Sequence, residues 1–187
     1  MNGPLITDTS TKALRSMRPR QLAKLLHSGL PISATDLRDS MYRGVSLGIP
    51  SWVESLVWTT FTKTFHFDTD RGSLRGWNVR LAQTGLDGPV EKLTRPDGAP
   101  KTFGHFEVVA PRVPRDGPGL LIDYSLGRNT RLDPAGLLRD PIVALDEGSA
   151  MRLLGCSYLD LGLRIPTPSY FLLERLGPLD HIAAPPR

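Results

Sequence analysis

From Met41 onward, apolar and polar residues tend to alternate with a period of two, the spacing that places one face of a strand in a core. Residues 57–68 carry the pattern most clearly. Val57, Thr59, Phe61, Lys63, Phe65 and Phe67 alternate with Trp58, Thr60, Thr62, Thr64 and His66, without glycine or proline. Such a run, rich in aromatic and β-branched residues, predicts a strand. Asp68-Thr69-Asp70-Arg71-Gly72 reads as a hairpin turn with Gly72 at a left-handed position, and 73–83 as the antiparallel return. Further strands are predicted over 41–48, 103–111, 120–126, 141–146, 151–163 and 169–176. Residues 51–56 read as one helical turn, 84–102 as a long excursion, and 127–140 as a loop with a helical turn after Asp133-Pro134. Before Met41 the period lengthens. Leu14, Met17, Leu22, Leu25 and Leu26 recur at helical spacing, Pro19 begins a second helical piece, and Gly29 ends it. Ser33 or Thr35 can cap another short helix.

The result is about eight strands joined mostly by hairpin-length connections, behind a helical lead-in. Helices do not alternate with strands, so a parallel α/β sheet is disfavoured. A sheet of this size must protect its edges, which predicts a mainly β fold: an antiparallel up-and-down barrel, with a two-layer β-sandwich as the alternative. No fixed-period repeat points to a propeller or solenoid. The expected organisation is a tail and helical lead-in over 1–40, the β domain over 41–177 and a tail over 178–187.

Composition narrows the function classes. The 187 residues include 17 prolines and 18 glycines dispersed between apolar runs, which fits many short elements joined by turns. A net charge of +4 is mild, and the basic residues Lys12, Arg15, Arg18, Arg20 and Lys24 scatter around a helix, so no nucleic-acid partner is expected. Cys156 is the single cysteine, which fits a reducing, cytoplasmic compartment. The segment MNGPLITDTSTK has no apolar core of signal-peptide length, and no stretch approaches the roughly 18 apolar residues of a membrane span. His27, His66, His105 and His181 form no metal-binding pair by spacing, and no Gly-x-Ser-x-Gly or phosphate-binding loop occurs. Neither a metal nor a cofactor is expected; the oligomeric state stays open.

The order of elements over about residues 40–177 resembles the calycin class, which includes lipocalins and fatty-acid-binding proteins. Members often open with Gly-x-Trp near the first strand. Here Tyr42-Arg43-Gly44 and Gly48 occupy that region, and the tryptophan comes later, in Arg75-Gly76-Trp77-Asn78. The resemblance implies an apolar or lipid-like ligand inside a barrel, and no site residue is carried over from it.

Polar residues within the strands supply the candidate chemistry. Asp123 and Tyr124 sit at the end of Leu120-Leu121-Ile122; an aspartate on a buried strand face is costly unless paired, and Arg43, Arg75 or Arg80 could pair with one. Tyr158 and Asp160 share one face of a strand; parity leaves open whether that face looks inward. The leading expectation is a binder of an apolar or amphipathic small molecule. Trp58, Trp77 and the phenylalanines would form its walls, and Asn78, Tyr124, Tyr158 and Asp160 would fix a polar end. An alternative is a cofactor-independent isomerase or cyclase using Asp123, Tyr158 or Asp160 for proton transfer. A third is a filled β domain that acts as a protein-interaction module. In that case the same aromatic residues simply pack a core.

Overall fold

A computed structural model describes residues 8–47, 60–85, 88–130 and 133–185. The lead-in forms α1 (Thr11–Ser16) and α2 (Pro19–His27). Ser10 caps the first by accepting a bond from the Ala13 amide, and Pro19 occupies the first turn of the second. A short 3-10 helix, Ala34–Leu37, follows the Ser33 cap.

Among the described residues eight strands come next: β1 (Ser40–Leu47), β2 (Thr60–Asp68), β3 (Ser73–Arg80), β4 (Thr102–Val109), β5 (Leu120–Asp123), β6 (Leu138–Asp146), β7 (Ser149–Asp160) and β8 (Arg164–Pro178). Each pairs antiparallel with the next, and β8 returns to β1 with Val45 opposite Leu172. The sheet is therefore a closed barrel, and the sandwich alternative falls because every edge finds a partner strand. The predicted turn after Asp68 is present, with Gly72 at φ +64°. Residues 51–56, Trp58 and Gly48 lie outside the described residues.

Two of the boundaries that differ from the sequence reading bear on the site. Strand β5 stops at Asp123 because the Asp123 carboxylate accepts bonds from the Ser125 amide (2.9 Å) and hydroxyl (2.6 Å), turning Tyr124–Leu126 into a 3-10 helix. Strand β6 starts at Leu138, ahead of the expected 141. Asp140, expected at the end of the loop 127–140, lies in the ladder with Pro141, opposite Ile122 and Leu121.

Three apolar clusters divide the core. Leu14, Leu22 and Leu26 of the helices cover the outward faces of β1, β6, β7 and β8 at Leu47, Val143, Leu154 and Leu172. Trp77 and Val79 pack outside β3 beneath Ala183 and Leu179 of the C-terminal segment. Inside, Tyr42, Phe65, Leu74, Leu153 and Leu173 fill one end of the barrel together with Ile32 and Leu37. Tyr42 anchors this plug by donating its hydroxyl to the Ala150 carbonyl at 2.8 Å.

The inner wall repeats one device three times. Gly44 faces Phe61, Gly76 faces Phe106 and Gly155 faces Phe171 across neighbouring strands. In each pair the ring lies over the glycine, so a Cβ there would fall 2.2–2.4 Å from a ring carbon. The absent side chain makes room for an aromatic ring against the backbone.

His105, on β4, is buried next to Trp77, with ring centroids 6.1 Å apart. Burial, reinforced by the nearby Arg75 charge and opposed by Asp133, lowers its pKa to about 4 from 6.5. The folded chain thus holds fewer protons than the unfolded chain between those values, so stability is present above 6.5 and is lost as pH falls toward 4. A loss of about 2 kcal/mol is expected from this group across that window. Urea titrations over the acid range should show His105→Gln with a flatter profile than the parent; an unchanged slope would contradict the assignment.

Candidate functional site

The end of the barrel opposite the apolar plug holds a cavity of about 420 Å3. The ends of β1, β3 and β7 and the starts of β2, β4, β6 and β8 meet there, with the turn after β5. Their inward residues are Ser46, Asn78, Ser157, Phe61, Lys63, Phe103, Asp140, Ser169, Phe171 and Tyr124. A second hollow of about 470 Å3 lies among Arg95, Asn129, Thr130, Asp133 and Pro185. Its frame comes largely from connecting segments, whereas strands hold most of the inner cavity.

Lys63 is 1% exposed, on the apolar inward face of β2, between Phe61 and Phe65. Its ammonium group donates to the Tyr124 hydroxyl at 2.6 Å and to Asp140 Oδ2 at 3.3 Å. Tyr124 donates in turn to the same Asp140 oxygen at 2.9 Å. Asn78 Nδ2 donates to the Gly104 carbonyl (3.2 Å) and reaches the Tyr124 hydroxyl at 3.4 Å. The rings of Phe106, Tyr124, Phe171 and Phe61 surround Nζ, with centroids at 5.0, 5.1, 5.2 and 5.8 Å, within cation–π range.

Burial pushes the Lys63 pKa below its ordinary value, and the Asp140 charge and hydrogen bond pull it back. Burial, and then the Asp140 charge, push the Tyr124 phenol well above its ordinary value. Asp140 is 2% exposed, and its Oδ1 has no hydrogen-bond partner among the described residues. A buried carboxylate with one unmet acceptor beside a buried amine is a costly arrangement for a purely structural core.

Local structure explains how these groups converge. Asp123 and Tyr124 are consecutive, as are Arg139 and Asp140, and each pair splits between the two sides of the wall. Asp123 and Arg139 meet outside, with Arg139 Nε 3.1 Å from Asp123 Oδ1, while Tyr124 and Asp140 meet inside. Asn129 fixes the Tyr124 turn onto β4. It accepts from the His105 amide at 2.8 Å and donates to the His105 and Tyr124 carbonyls at 2.7 and 2.8 Å.

The expected site residues divide accordingly. Asn78 and Tyr124 line the cavity. Trp77 does not, because it packs on the outer face of β3. Asp123, Tyr158 and Asp160 do not line it either; they belong to an ionic network on the outside of β5–β7. There Asp123 pairs with Arg112 and Arg139, not with Arg43, Arg75 or Arg80, and Arg139 also reaches Asp160 at 3.5 Å. Arg164 lies over the Tyr158 ring at 3.9 Å and bonds Asp116 at 2.6 Å. Outward parity of β7 at these positions gives Tyr158 and Asp160 cationic neighbours in place of a lumen.

Lys63 and Asp140 are the charged site residues that sequence reasoning passed over, and Ser46, Ser157 and Ser169 are the polar ones. For Lys63 a signal existed: in the predicted strand 57–68 it is the one charged residue at positions otherwise held by Val57, Thr59, Phe61, Phe65 and Phe67. Asp140 was hidden at the end of the loop expected over 127–140.

Among the described residues no cluster of three metal-ligating side chains occurs, and His66 pairs with Asp39 at 2.7 Å. Burial raises the Cys156 pKa to about 11, which keeps the thiol from acting as a ready nucleophile. No helix among the described residues is long and apolar enough to cross a membrane. The fold and cavity define a closed eight-stranded antiparallel barrel with a polar cluster in its lumen. Comparison with known proteins found no matching family model and no similar curated protein or solved structure.

Proposed function

We propose that this protein binds a small molecule with an apolar body and one polar group inside the barrel. The observation that carries the reading is a cavity of about 420 Å3 whose walls combine Phe61, Phe103 and Phe171 with the buried Lys63–Tyr124–Asp140 cluster. That volume falls in the range of small-molecule sites, and the mix of apolar wall with a few convergent polar groups is what such sites share. The calycin-like element order supports the same reading. The ligand's apolar part would lie on the phenylalanines, and its polar end would meet Lys63, Tyr124, Asp140 and Asn78.

Ser169→Phe places a ring in the cavity from its wall and tests the proposal. Octanol titrated by calorimetry is expected to bind the parent at one saturable site and the variant at least about tenfold more weakly, a difference of about 1.4 kcal/mol. Equal binding by both proteins would overturn the proposal.

A second reading, cofactor-independent proton-transfer catalysis of the isomerase or cyclase type, draws support from the opposed pKa shifts of Lys63 and Tyr124. In that reading Asp140, Tyr124 and Lys63 carry the chemistry in place of Asp123, Tyr158 and Asp160.

A further inference from the structure

We infer that Lys63 is a covalent capture point for carbonyl compounds: an aldehyde or ketone with an apolar body enters the barrel and condenses with Nζ to form an imine. The inference rests on the ligand-binding reading and names the chemical class of ligand.

Three features of the cluster support it. First, Lys63 lines the cavity, so its side chain borders whatever occupies it. Second, the hydrogen bonds form a proton path from Lys63 Nζ to the Tyr124 hydroxyl (2.6 Å) and from that hydroxyl to Asp140 Oδ2 (2.9 Å). Third, Asp140 Oδ1 is buried without a partner among the described residues, which leaves an acceptor beside the amine for the hydroxyl of an addition intermediate. An ion pair kept only for packing needs neither the path nor the spare acceptor. Burial favours the uncharged, nucleophilic amine, and desolvation in an apolar pocket is a recognised way to activate lysine.

The steps balance within the cluster. A proton passes from the Lys63 ammonium through Tyr124 to Asp140, leaving a neutral amine and a neutral acid. The nitrogen lone pair attacks the carbonyl carbon, a C–N bond forms, and the carbonyl π pair moves to oxygen. That oxygen takes the Tyr124 proton, and the new ammonium returns one to the phenolate. The product is a neutral carbinolamine. Asp140 then protonates the hydroxyl, the C–O bond breaks with loss of water, and the nitrogen lone pair forms the C=N bond. A cationic iminium remains opposite the Asp140 carboxylate, so the buried pair keeps its net charge.

Octanal with cyanoborohydride tests the inference, because hydride fixes the iminium as a stable octyl amine. Mass spectrometry with peptide mapping should find the octyl group on Lys63 at least about tenfold sooner than on Lys12, Lys24, Lys92 or Lys101, as expected of an amine held against its reactant. Octanol should compete with this labelling. Tyr124→Phe is expected to label about 100-fold more slowly at saturating octanal, where any change in binding no longer limits the rate, through loss of the proton relay. Lys63→Met should lose the fast label entirely. Mapping of the parent protein alone decides the matter if that variant does not fold. Labelling confined to the other lysines, with octanol bound, overturns the inference and leaves ligand binding intact. Failure of octanol to bind removes both.

Discussion

Asp140→Ala is expected to destabilise the protein by about 3–5 kcal/mol, the range observed when one partner of a buried ion pair is removed. The reason is asymmetric. Lys63 is 1% exposed and would be left with Tyr124 as its one hydrogen-bonding partner among the described residues, inside a ring of aromatic side chains. Without the Asp140 carboxylate the chain must hold an uncompensated ammonium or release the proton. The double variant Lys63→Met/Asp140→Leu removes both charges and is expected to regain most of the loss, since an apolar pair of similar volume often matches a buried ion pair. Urea unfolding monitored by fluorescence checks both variants. A loss below about 1 kcal/mol for Asp140→Ala, typical of exposed pairs, would show that the pair is not desolvated as described. The double variant should also abolish octanal capture, which separates the cost of the cluster from its use.

Gly127→Ala is the second large effect expected. Gly127 follows the Tyr124–Leu126 turn, and a Cβ on it would fall 1.7 Å from the His105 carbonyl oxygen, a backbone atom. Relief requires the turn to lift from β4, against the Asn129 bonds that join the two. A cost of about 3 kcal/mol is expected, at the upper end of overpacking penalties. The displacement reaches the site because Tyr124 is in the turn and its hydroxyl touches Lys63 and Asp140. Octanal capture should therefore slow in Gly127→Ala even where the protein remains folded. A control at Gly136, whose Cβ would meet nothing within 4 Å, should alter neither property. Normal capture in folded Gly127→Ala would mean that the turn does not position Tyr124.

The fold was largely legible in the sequence because pairing of consecutive antiparallel strands is a local matter repeated along the chain, whereas closure of β8 on β1 is long-range and left barrel and sandwich both open. The two-residue alternation, the Asp68–Gly72 turn and the helical spacing from Leu14 to Leu26 each report on their own neighbourhood. The cavity was less legible because it depends on parity, and parity is a global property. Tyr158 and Asp160 do share a face, as their spacing requires, but only register with β6 reveals that this face is outside. Trp77 and Asn78 are adjacent in sequence, and the wall separates them. Asp140 illustrates a different limit: an Asp-Pro pair has turn chemistry, and the ladder with β5 overrides it. Lys63 carried a signal that the sequence reading did not use: a lone cation between Phe61 and Phe65 on one strand face has to be paired or functional.

The glycines opposite Phe61 and Phe171 carry a consequence for which molecules the lumen admits. Those rings rest on bare backbone, so their depth is set from behind, by residues 44 and 155. A methyl group added at either position would push a ring toward the centre and narrow the chamber; a smaller side chain in place of the ring would widen it. Girth selectivity is thus written partly in backbone positions that an occupant never touches. A change in preferred guest could then evolve there while the Lys63, Tyr124 and Asp140 chemistry stays untouched.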